Sequence, residues 1–164
     1  MATRASIGGH PIHPMLVAFP IGLWVTSLAL DIWFYFERNP TWLYASKFMI
    51  AAGCVGAIAA AVAGIIDWTG LKDRRVVKIA NWHARLNVAA LIVFTLDLYF
   101  RTKSGSAYVG HRLTIPFLLS LLGVILISIS GWLGGEIVYK HGVGVEVQRD
   151  TPEEARAKER LPAN

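Results

Sequence analysis

The chain has 164 residues, of which 54% are hydrophobic and only 16% charged. A soluble domain carries about 25% charged residues, so this composition excludes an ordinary water-soluble globule, and a mean hydropathy of +0.47 points the same way. The formal net charge of +5 would suit nucleic acid in a soluble protein, but the Lys and Arg residues gather in short loops between apolar runs, where they act as orientation signals; no nucleic-acid partner is expected.

The chain opens with GGHPIHPMLVAFPIG, Gly8 to Gly22, which sets His10 and His13 among prolines at the mouth of a long apolar run. Pro11 and Pro14 oppose helix before the span and suit its opening turn, whereas Pro20 removes a backbone bond inside it. The first predicted span covers about residues 15–36. No short apolar stretch with a basic flank and a small-residue cleavage site stands apart from it, so this span is expected to act as its own insertion signal. A polar link, ERNPTW, leads to a second span at about residues 43–66, and so short a link makes the two antiparallel neighbours. In the second span Ala52, Gly56, Ala60 and Gly64 recur every four residues, a stripe that lets helix backbones approach closely in lipid. Cys54 lies in the same span and can form no intrachain disulfide, since it is the single cysteine. It is expected to be a small buried side chain.

A loop, DWTGLKDRRVVKIANW, precedes a third span at about residues 82–100, and a fourth follows at about residues 114–134. Each is near the length that a helix needs to cross a bilayer core, about 20 residues. The fold class predicted is therefore all-α, an integral membrane four-helix antiparallel bundle over residues 1–147. Residues 148–164 form a charged, apolar-poor tail with no assigned role. No internal repeat stands out along the chain.

An even number of spans puts both termini on one side, called side A. Near its span ends lie Arg4, Lys72, Arg74, Arg75, Lys78 and Lys140, against Arg38, Lys47, Arg101, Lys103 and Arg112 toward side B. The positive-inside rule then makes side A, with both termini, cytoplasmic.

Ionisable groups inside spans are costly and commonly mark function. Along the third span His83, Asn87, Ala90, Phe94, Asp97 and Arg101 stay on one helical face, a polar stripe running from side A to side B. His13, Pro20, Trp24, Ser27 and Asp31 share a face of the first span in the same way, with His13 and Asp31 about 27 Å apart at 1.5 Å per residue. Two polar clusters follow. Side B collects Asp31, Asp97, Arg101 and His111, where the simplest account is an Asp97–Arg101 pair at i, i+4 that stabilises a helix end. Side A collects His10, His13, Asp67, Trp82, His83, Arg85, Glu136, Tyr139 and His141.

Any one side A histidine could cap a helix or sit half wet at the interface. That account leaves unexplained why spans one, three and four each bring a histidine to one depth while the second brings Asp67. A shared ligand site accounts for it. Histidines on facing helices can clamp a haem in a bundle core, and the expected axial ligands of a haem b are His13 and His83, with His141 or His10 as substitutes and Arg85, Lys78 and Arg4 near the propionates. Trp82 would help wall the slot. The absence of CxxCH excludes covalent c-type attachment. The competing site is a bare Zn, Cu or Fe ion held by His10, His13, His83 and His141, with Asp67 as ligand or support. A different class again is a non-catalytic membrane subunit or scaffold. Proton relay along the His and Asp stripe ranks lower, because no span is broken at its middle.

Taken together, GHPIHPMLVAFPIGLW, GIIDW, WHARLN and GWLGGEIVYKHGVGV resemble the small bacterial four-helix membrane proteins called domain of unknown function 2231, over about residues 8–147. The resemblance implies a four-helix domain in a bacterial cytoplasmic membrane and no settled activity. Some members resemble partners of Rieske-type iron–sulfur domains, which favours one-electron transfer through haem, with a quinone or a redox protein as partner. Self-association is left open. The family motifs contain His10, His13, Asp67, His83, Glu136 and His141, and His111 falls outside them.

Overall fold

A computed structural model describes residues 4–103 and 114–145; His111, Arg112 and the tail at 148–164 lie outside the described residues. Four helices carry the described residues: α1 (Ile12–Glu37), α2 (Thr41–Trp68), α3 (Arg74–Lys103) and α4 (Thr114–Gly135), the last running into a π-helical turn at Glu136–Lys140. All four are long and apolar enough to cross a membrane. The fold is thus an all-α four-helix bundle in a lipid bilayer, with α1 packed most closely on α2 and α3 on α4.

Before α1, two short antiparallel strands, β1 (Ser6–Ile7) and β2 (His10–Pro11), pair across Gly8 and Gly9. Both glycines have positive φ, 57° and 83°, which side chains resist and a two-residue hairpin turn requires. This hairpin was not foreseen from the prolines. Helix α1 then starts at Ile12, so His13 and Pro14 fall in its first turn.

The third helix begins eight residues before the apolar run expected from about Trp82. Asp73 explains the start, since its Oδ1 accepts the Arg75 N–H at 2.7 Å and its carbonyl accepts the Val77 N–H at 2.9 Å. With its first donors satisfied, RRVVKIAN continues as a polar extension of the span rather than as loop.

The core is a line of contacts down the middle of the bundle. Trp24 of α1 stacks on Phe94 of α3, ring centroids 4.2 Å apart, with Ile50, Ala90 and Ile127 around them. A second small cluster, Phe34 and Leu43, closes the side B end. Outward faces are apolar, and exposed aromatic rings lie toward both span ends, with Trp68, Trp82 and Trp132 toward side A and Tyr44 and Tyr99 toward side B. Lipid-facing surfaces and interfacial belts have this character.

Contacts along the centre repeat at one spacing. Asp31 pairs with Arg101, 70 residues on, and His13 meets His83 and Trp24 meets Phe94 at the same offset. Within each hairpin the match continues: His13 bonds the carbonyl of Ala60 and His83 that of Ser130, each 47 residues on. Gly53 makes room for Trp24 as Gly123 does for Phe94, and Gly64 for His13 as Gly134 does for His83. The α1–α2 and α3–α4 hairpins are therefore related by an approximate two-fold axis along the bundle, a repeat that the sequence reading did not find. The small-residue stripe on α2 also shifts: Ala52 is exposed, and the side that meets α1 is Gly53, Gly56, Ala60 and Gly64.

Two glycines on α4 separate packing from helix propensity. A Cβ on Gly123 would collide with the Phe94 ring, whereas at Gly131 nothing lies within 4 Å. We expect Gly123→Ala to destabilise the detergent-solubilised protein by about 1–3 kcal/mol through overpacking, and Gly131→Ala to be neutral or slightly stabilising. Thermal unfolding followed by circular dichroism checks both.

Candidate functional site

Of the four side A histidines, the fold brings two together. His13, in the first turn of α1, and His83, two turns into α3, sit edge to face with ring centroids 6.2 Å apart. Each ring is held from behind in the same way. Nδ1 of His13 lies 2.8 Å from the Ala60 carbonyl oxygen, and Nδ1 of His83 lies 2.9 Å from that of Ser130. A carbonyl oxygen only accepts, so both Nδ1 atoms carry hydrogen, and in the neutral tautomer this leaves the lone pair on Nε2. The Asn87 side-chain amide, one turn after His83, donates to its Nε2 at 3.0 Å. Ser130 adds a hydroxyl 3.0 Å from Nδ1 of His83. Close approach needs the absence of side chains on α2 and α4: a Cβ at Gly64 would lie 2.9 Å from His13, and one at Gly134 would lie 3.1 Å from His83.

The remaining side A residues do other things. His10 lies on the exposed hairpin, paired with Ile7. Asp67, at the end of α2, accepts the Ala5 N–H on Oδ1 at 2.7 Å, and Arg4 donates to Thr69 at 3.0 Å, so the N-terminal hairpin is strapped to the end of α2. Trp82 and Arg85 are both exposed on α3, with the guanidinium 5.2 Å from the indole centroid; this outward pair suits the membrane interface. His141 follows the π-helical turn, half-buried, and Glu136 pairs with Lys140 at 3.2 Å on the same turn. Among the described residues, no three His, Cys, Asp or Glu side chains gather as a metal ion would require.

Side B holds a denser polar site than the i, i+4 pair expected from the sequence. Arg101 does bond Asp97, Nε to Oδ1 at 2.7 Å. It also reaches across the axis with Nη1 on Oδ1 of Asp31 at 2.8 Å and Nη2 on Oδ2 of the same carboxylate, a bidentate fork. Ser46 of α2 accepts from Nη1 and Ser120 of α4 from Nη2, each at 3.0 Å. Asp97, Arg101 and Asp31 are 0%, 2% and 3% exposed, so all four helices meet on one guanidinium out of contact with solvent. Sequence reasoning had Asp31 and Arg101 on inward faces and missed the pairing. The missed signal was the 70-residue offset that also relates the two histidines.

With this geometry in place, the family can be stated. Residues 9–147 match the family model described as "Predicted membrane protein (DUF2231)", and the chain belongs to that family. No curated protein and no solved structure matches the chain.

The side B cluster gives a direct stability test. Arg101→Met keeps the volume but leaves two buried carboxylates facing each other, and breaking a buried pair in this way costs about 3–5 kcal/mol. We expect a large fall in the thermal midpoint in detergent, or failure to accumulate in the membrane, while Arg85→Met at the exposed interface leaves the midpoint near wild type.

Proposed function

We propose that His13 and His83 are the axial ligands of a b-type haem and that the protein passes single electrons through it in a bacterial cytoplasmic membrane. The observation that carries this is the paired imidazoles, with Nε2 of His83 held by the Asn87 amide alone and each ring's Nδ1–H fixed on a backbone carbonyl. Such an outer hydrogen bond sets the tautomer and ring orientation of ligating histidines. The two ring centroids lie 6.2 Å apart, so both imidazoles would be within reach of one group held between them.

Ligand count favours haem over a bare ion. A porphyrin supplies four nitrogens, so two imidazoles complete the iron, whereas Zn or non-haem Fe takes three or four protein ligands. No third ligand joins the pair among the described residues. A haem held here would take the place of the Asn87 bond to Nε2 of His83, with Ala60 and Gly64 behind His13 and Ser130 and Gly134 behind His83. His10, His141 and Asp67 then serve the surrounding loops. On the positive-inside rule side A is cytoplasmic, so electrons would be exchanged near that face, with a quinone or a Rieske-type or other redox protein as partner.

The absorption spectrum of protein purified after expression with ample haem tests this. A Soret band with the reduced spectrum of bis-imidazole haem is expected in the wild type, and its loss in both His13→Ala and His83→Ala. A wild type without a Soret band overturns the proposal, and elemental analysis of the same sample then tests the bare-metal alternative.

A further inference from the structure

The side B cluster has a charge imbalance inside a lipid-embedded bundle: two carboxylates share one guanidinium. Among the described residues, Arg101 is the one cation that reaches either Asp31 or Asp97. The other helices bring hydroxyls only, Ser46 from α2 and Ser120 from α4. Of the other side B cations among the described residues, Arg38 and Lys103 stand over the faces of Tyr35 and Tyr99, 5.5 and 5.8 Å from the ring centroids, and Lys47 of α2 makes no ion pair with either carboxylate. Fully ionised, the cluster would hold one net negative charge at almost no exposure, and an uncompensated charge in low dielectric is removed by taking up a proton.

We propose that the Asp31–Asp97–Arg101 cluster is a proton-binding site that holds one proton on Asp97 at neutral pH. Hydrogen-bond geometry selects the carrier. Asp31 takes the Arg101 fork on both oxygens, which suits the ionised partner. Asp97 takes one close bond from Arg101, on Oδ1, while its Oδ2 lies 3.3 Å from Nη2 and 2.7 Å from the Ser120 hydroxyl, a contact in which either oxygen can be the donor once Asp97 is protonated. A proton on Oδ2 of Asp97 donates to Ser120 Oγ, and Ser120 in turn donates to Oδ2 of Asp31, 3.3 Å away. Both hydroxyls and both carboxyl groups then bond within the cluster, and Asp31, Asp97 and Arg101 together carry no net charge. The proton comes from water and no other bond is made or broken. A cavity of about 10 Å³, lined by Asp31, Arg101, Tyr35, Pro116 and Phe117, touches the ionised side of the chain; it has room for about one water. Asp31 lies six residues before the end of α1, about 9 Å inside the span. The proposal does not depend on haem at side A.

Infrared spectroscopy of the full-length protein in lipid nanodiscs, in H₂O and D₂O at neutral pH, tests it directly. A protonated-carboxyl C=O band that shifts in D₂O is expected in the wild type and is expected to vanish in Asp97→Asn, while Asp67→Asn and Glu136→Gln keep it. Absence of the band in the wild type, or its survival in Asp97→Asn, overturns the proposal. Thermal midpoints give a second readout: Asp97→Asn copies the neutral group and should melt within about 4 °C of wild type, whereas Asp31→Asn removes the charge partner of Arg101 and should fall well below it. Equal losses in the two variants would also overturn it.

Discussion

One guanidinium organises the side B half of this bundle. Lipid offers no hydrogen bonds, so an arginine within a span has to be satisfied entirely by protein. Arg101 meets that demand by drawing a carboxylate from α1, one from its own helix, and hydroxyls from α2 and α4. Because the groups come from all four helices, rotating any one of them strands a polar atom in hydrocarbon. The association of apolar helices in lipid is otherwise weakly specified, since their side chains pack about as well against acyl chains. The cluster therefore fixes register and rotation, and the Trp24–Phe94 stack and the histidine pair inherit their alignment from it.

The two-fold relation between the hairpins shows how the same positions were used differently. At three levels along the axis a residue of α1 touches its counterpart in α3: histidine with histidine, tryptophan with phenylalanine, and aspartate with arginine. Identical residues at an axis are tolerable for neutral imidazoles and favourable for aromatic rings. Two arginines or two aspartates at the third level would repel at contact distance in low dielectric. Opposite charges at equivalent positions solve that problem, and the price is a broken symmetry at side B that side A does not show.

The four spans were legible because bilayer thickness imposes one length on every apolar run, and the inward faces of α1 and α3 were legible because helical phase is fixed at 100° per residue. That His13 and His83 face inward at one depth was likewise legible from phase. The Asp31–Arg101 fork could not, since sequence spacing reveals partners on one helix, such as Asp97 with Arg101, and is silent about which helix lies across the axis. The repeat was hidden for a related reason. Between the hairpins the matched positions keep histidine and the two contact glycines, Gly53 with Gly123 and Gly64 with Gly134, but exchange most apolar residues freely. Lipid-facing positions ask only for hydrophobicity, so the conserved spacing survives in a handful of inward residues. The start of α3 was misplaced because a capping aspartate, Asp73, extends a helix through polar sequence that hydropathy assigns to a loop.

Symmetry also bears on what the histidine pair can do. Two rings related by an axis, each buttressed by a carbonyl on its own hairpin, present equal donors to anything placed between them, which suits a ligand that takes two opposed imidazoles. The equivalence ends at the next turn, where α3 carries Asn87 and α1 carries Val17. Asn87 gives Nε2 of His83 a hydrogen bond, and Nε2 of His13 has no protein partner among the described residues. The two rings thus share their backbone support and differ at Nε2, where His83 alone has a protein donor among the described residues.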